Sequence, residues 1–131
     1  MTTLTKSVTT VIASGTVTAG TPLRGSKALA SAMGGVLTGK ITNGSTGPTV
    51  QCSFAVYMAH DVSGSDPATG AAGTVWKLLA GPFGGGTTAN AVSEWAIEIP
   101  WGVGAVQTEF SGNTVQNVTG EAIMTLVTAA S

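Results

Sequence analysis

Three segments of this chain alternate in side-chain character with a period of two, and a fourth is apolar on both of its faces. In 50–58, Val50, Cys52, Phe54, Val56 and Met58 alternate with Gln51, Ser53, Ala55 and Tyr57. In 93–99, Trp95, Ile97 and Ile99 alternate with Glu94, Ala96 and Glu98, and in 106–110, Val106, Thr108 and Phe110 oppose Gln107 and Glu109. In 121–128, Ala122, Met124 and Leu126 share one face while Ile123 and Val127 lie on the other, so this last strand reads as covered on both sides. Successive side chains of a strand point to opposite faces, so a period of two specifies half-buried β-strands and excludes amphipathic helices at these places.

The remaining segments fit the same architecture. Residues 4–13 are rich in Thr and Val and read as a strand, 16–18 is a shorter candidate, and 75–80 is another. Residues 27–42 allow two readings: a short helix with Ser26 as N-cap and Gly34 just past its end, or one long strand bent at Gly34-Gly35. The strand is preferred, because seven residues make a marginal helix and a glycine pair inside a strand marks a bulge. Asn43 to Pro48 and Gly112 to Thr114 read as hairpin connections, 62–73 and 81–90 as Gly-rich loops, and 100–104 as a tight apolar link. Seven or eight short strands with regular turn signals predict an antiparallel β-sandwich, jelly-roll-like, with little helix. Residues 1–15 form an N-terminal arm or a first strand, and 16–131 a single sandwich domain.

Composition narrows what such a sandwich does. Only 8% of the 131 residues are charged and the net charge is -1, against a typical charged share of about 25%. A nucleic-acid binder would carry a basic footprint that this chain lacks. The mean hydropathy of +0.36 argues against disorder. No apolar run approaches the ~20 residues of a membrane span, and the opening Met-Thr-Thr-Leu-Thr-Lys-Ser does not read as a signal peptide. The single cysteine, Cys52, leaves no internal disulfide. Leu, Ile, Val and Phe together number 29, close to the ~20% below which independent folding fails, so the expected core is thin and supplemented by partner contacts.

The few charges are segregated. Residues 1–60 hold Lys6, Arg24, Lys27 and Lys40 and no acid, whereas 61–131 hold six acids opposed by Lys77 alone. This predicts a dipolar subunit that docks electrostatically on a neighbour, with an assembly weakened by salt.

The residues that could carry chemistry do not converge. Cys52 and His60 share a strand face but lie about 26 Å apart along an extended strand, so they do not form a nucleophile and base. Asp61 and Asp66 flank a loop that lacks the spacing and closing Glu of an EF-hand, and one Cys with one His excludes a zinc site. Gly34 to Lys40 fits the start of a P-loop, but Ile41 stands where Ser or Thr should hold magnesium, and both flanks read as strand. Glu94 and Glu98 would sit ~13 Å apart on one strand face, beyond the span of a glycosidase pair. Asn43 and Asn117 head glycosylation patterns that carry no weight without a secretory route. Trp95 alternates with Ile97 and Ile99 as a core residue would, whereas Trp76 and Trp101 lie near loop edges. With Arg24 and Lys27, these two tryptophans are the candidate interface residues.

The run Gly34 to Pro48, the run Trp95-Ala96-Ile97-Glu98-Ile99-Pro100, and Gly112-Asn113-Thr114 before a final apolar strand resemble small β-sandwich virion proteins of tailed bacteriophages, especially capsid decoration (cement) proteins. The resemblance covers most of the chain from about residue 25 onward. It implies a non-enzymatic protein without cofactors, whose partners are a major capsid protein and further copies of itself, for example in a trimer, and whose place is the virion. Nucleic acid and membrane are not among the expected partners. A tail- or fibre-associated subunit and a carbohydrate-binding module using Trp76 or Trp101 are the alternatives.

Overall fold

The computed structural model describes residues 3–29 and 31–130. Eight strands follow one another in the described residues, with no helix between them: β1 (Thr3–Val17), β2 (Leu23–Ala28), β3 (Ala32–Asn43), β4 (Ser53–Ala59), β5 (Lys77–Gly84), β6 (Val92–Ile99), β7 (Ala105–Ser111) and β8 (Val118–Ala130). They form two antiparallel four-stranded sheets, ordered β1-β8-β3-β6 and β2-β7-β4-β5. This is the strand order of an eight-stranded jelly roll. Of the seven connections, only β4–β5 joins neighbours in one sheet; every other one carries the chain from one sheet to the other.

The structure corrects several local readings. Residues 27–42 are not one bent strand: Lys27 and Ala28 end β2 in the second sheet, the chain turns at Leu29, and β3 begins at Ala32 in the first. The expected bulge does occur, as a register shift between Ala32 and Gly35 with Gly34 at φ 99°. The turn clusters at 43–48 and 112–114 do not close hairpins, because β3 and β4, like β7 and β8, lie in different sheets. The strand expected from Val50 starts at Ser53, and Val50 is exposed on the connection, where its N–H donates to Thr114 Oγ1. β5 runs on to Gly84, into the region read as a loop. The segment expected as an arm or first strand is hydrogen-bonded to β8 from Thr3↔Ala130 to Val17↔Val118.

The core lies between the sheets. Leu37 and Ile41 of β3, Met124 and Ala122 of β8, and Phe54, Val56, Val106 and Phe110 of the second sheet are fully buried there. The rings of Phe54 and Phe110 meet at 4.9 Å, and Trp95 stacks between Phe54 (5.9 Å) and Phe83 (5.7 Å). Two glycines make room for these rings. A Cβ at Gly39 would collide with the Phe54 ring, and one at Gly120 would stand 2.9 Å from Phe110 Cδ2. The core is thin in residue count but closely packed, because bare backbone on one sheet receives aromatic rings from the other.

Candidate functional site

The two outer faces of the sandwich differ, and that difference locates the candidate surface. On the second sheet, β7 is buried on both sides. Val106, Thr108 and Phe110 point inward, and Gln107, on the opposite parity, is also 0% exposed. The cover is the β4–β5 connection, which folds back over the sheet. Gly70 N–H donates to Gln107 Oε1 at 2.8 Å, and Gln107 Nε2 donates to the Gly70 carbonyl at 2.7 Å. Ser26 Oγ donates to the Pro67 carbonyl, and Ala28 N–H donates to Asp66 Oδ1 at 2.9 Å. Trp76 closes the cover: it packs with Ala59, Ala105 and Tyr57, and its Nε1–H donates to the Ala68 carbonyl at 3.3 Å.

Trp76, expected free at a loop edge, is therefore only 3% exposed, because the connection wraps it against the sheet. Trp101 stands clear in the β6–β7 link at 69% exposure. Of the two rings expected as alternative carbohydrate contacts, Trp101 is therefore the exposed one. Arg24 and Lys27 are engaged within the chain. The register Arg24↔Glu109 brings Arg24 Nε to 2.6 Å from Glu109 Oε2, and Lys27 Nζ lies 3.3 Å from Asp66 Oδ2. Lys40 Nζ lies 3.9 Å from Glu94 Oε1. Three of the four cations of the first half thus meet acids of the second half inside one chain: strand pairing sets Arg24 of β2 beside β7 and Lys40 of β3 beside β6, and the β4–β5 connection brings Asp66 to Lys27. Part of the charge segregated along the sequence is paired inside the chain.

The titratable groups are placed for structure. The Ala28 N–H holds the Asp66 carboxyl below its ordinary value, with Lys27 adding to the effect, and the Ser63 N–H and hydroxyl do the same for Asp61. Burial pushes the Cys52 thiol up to about 11. Burial also raises Tyr57, helped by the negative charge of Glu109. Cys52 is in the core at the start of β4 and His60 is exposed beyond its other end, so the two do not meet. No group of three or more His, Cys, Asp or Glu side chains gathers among the described residues. The P-loop-like run is strand β3, with Lys40 on its outer side.

Among the described residues, nothing covers the outer face of the first sheet in this way. Ile123, Thr125 and Val127 of β8, expected to be buried on both sides, are only half-buried. Around them lie Val8 of β1, 71% exposed, Val36 of β3 and Ala96 of β6. The register aligns Glu121, Lys40 and Glu94 in one row across three strands. A shallow groove of about 400 Å³ runs along this row, lined by Thr38, Lys40, Glu94, Trp95 and Glu121. The sequence carries the parity of each strand but not which strands are neighbours, so this row could not be read from it.

No protein-family model and no curated protein sequence matches the chain. Solved structures do. A chain of the T13 particle of infectious bursal disease virus superposes with a TM-score of 0.59, at 10% identity, over 95% of this chain and 31% of its own. A mutant VP2 protein of the same virus, from derived T=1 particles, gives 0.52 at 11% identity, over 96% and 31%. The SPBc2 prophage-derived protein YomS is a looser likeness, with a TM-score of 0.42 at 23% identity over 95% and 96%. This chain therefore spans less than a third of either viral chain it superposes on, and what it shares with them is the eight-stranded jelly-roll fold.

Proposed function

We propose that this chain is a structural virion protein without enzymatic activity or cofactor, acting as a capsid decoration protein of a tailed phage that binds the outside of the assembled head. The observation that carries the reading is the jelly-roll strand order, shared over 95% of the chain with part of a virus-particle chain. The Thr- and Val-rich composition of the chain, with few charges, supports it, since it suits repeated docking on a lattice. Many copies binding only the assembled shell stabilise that shell by mass action, and repetition makes weak single contacts sufficient. The major capsid protein is the partner in this reading.

The test is the copy number and position of the chain in purified virions. Density for it on the outer surface of the head, in a fixed ratio to the major capsid protein, supports the proposal. Density confined to the tail or fibres assigns it to those structures instead, and absence from the particle rejects a virion role.

A further inference from the structure

We propose that the bare outer face of the first sheet is self-complementary and closes two copies of this chain into a face-to-face dimer, about a twofold axis that runs parallel to the strands between β8 and β3. The argument rests on the order of charges across that face. The register places Lys6 beside Val127, Val8 beside Thr125, Lys40 beside Glu121 and Glu94, and Val36 beside Glu98. Paired residues point to the same side of a sheet, and Ala122 and Met124 of β8 point into the core. Lys6, Glu121, Lys40, Glu94 and Glu98 therefore all project outward. Read across the sheet, β1 carries a cation, β8 an acid, β3 a cation and β6 two acids.

This alternating order reverses sign on reflection through the midline of the sheet. A twofold along that midline lays β8 of one copy over β3 of the other, and β1 over β6. Lys40 then faces the second copy's Glu121 in the same row, twice by symmetry, and Lys6 faces the Glu98 end of β6. A twofold perpendicular to the strands would instead lay each strand over its own copy, cation on cation and acid on acid. The charges thus select one geometry of the isologous class that closes dimers. Between the charged rows lie Val8, Val36, Ala96 and Ile123, the apolar centre such a contact needs. Stacked sheets of this kind pack about 10 Å apart.

Four strands at their usual spacing give a footprint of about 500 Å² per copy. This lies at the small end of specific interfaces, so the dimer is concentration-dependent. The proposal does not rest on the virion reading, and its test uses the purified chain alone.

The test is light scattering across a concentration series at low and high salt, on wild type, Lys40→Glu, Glu121→Lys and the double reversal K40E/E121K. Wild type should pass from monomer to dimer as concentration rises, less readily in salt. Each single reversal should raise the dissociation constant about tenfold or more, and the double reversal should restore it, since opposite charges face each other again. Lys40→Glu also removes the pair with Glu94 and sets three acids in one row of its own sheet, so the comparison is made at temperatures where thermal unfolding shows all four proteins folded. A chain that stays monomeric to about millimolar concentration overturns the proposal. So does a dimer indifferent to both single reversals, or an assembly larger than two. A dimer abolished by Thr5→Pro yet unaffected by Lys40→Glu would be edge pairing through β1, and would overturn it equally.

Discussion

Gln107 of β7 and Gly70 of the β4–β5 connection bond to each other twice, the side-chain amide of one matching the backbone N–H and carbonyl of the other. A single side chain thereby imitates a strand partner and fixes the cover on the second sheet. Gln107→Leu should release it. The expected loss is about 1–2 kcal/mol, since the freed Gly70 groups return to water. Residues 61–75 should become sensitive to limited proteolysis while the sandwich stays folded. A urea midpoint and a digestion time course on the two proteins measure both effects.

Gly39 should tolerate no side chain while Phe54 keeps its ring. Gly39→Ala drives a methyl into that ring and should cost about 1–3 kcal/mol through overpacking. Adding Phe54→Leu should recover part of the loss, so that the double variant is more stable than the sum of the single effects implies. A double-mutant cycle in denaturant reads this coupling directly.

Acid should loosen the cover before it unfolds the core. The Asp66 carboxyl sits below its ordinary value of 3.8 because the Ala28 N–H binds its ionised form. Its contribution is therefore fully present above 3.8 and is lost as pH falls through the lowered value. Asp66→Asn should remove this part of the pH dependence, and the part due to Asp61 should persist. Hydrogen exchange of Ala28 and neighbouring amides, followed against pH in both proteins, checks the sign and the range.

Cys52 should be inert in the native state. With its thiol pushed up to about 11 inside the core, the thiolate fraction at about pH 8 is on the order of a thousandth, and no reagent reaches it. Its labelling rate with a thiol reagent should follow global unfolding across a urea series. Rapid labelling of the folded chain would place Cys52 outside the core.

The strands were legible and their neighbours were not. The alternation around Trp95, Ile97 and Ile99 yields β6 almost to the residue, because one face is apolar and the other acidic. The turn chemistry of Asn43 to Pro48 is equally plain, yet a turn residue reports only that the chain bends. Whether it returns to the same sheet or crosses to the opposite one depends on contacts far away in sequence. Trp76 failed for the same reason. Its surroundings come from Ala59, Ala105 and a connection that folds back over them, and no local pattern announces this. The reading of β8 as covered on both sides followed from its apolar character. The structure assigns the outer half of that character to an open face, and it gives β7 the second covered side through Gln107, a polar residue.

The pairing of β1 with β8 also has a consequence in time. Thr3 lies opposite Ala130 and Val17 opposite Val118, so a strand made early in synthesis has its hydrogen-bonding partner made more than a hundred residues later. On the ribosome, Ile12 and Val17 must wait, exposed, until Ala122 and Met124 emerge. Contacts this distant in sequence close slowly. Of the strands, only β4 and β5 find each other without crossing the sandwich, so the first native structure to form should be their pair, and the first sheet should close last.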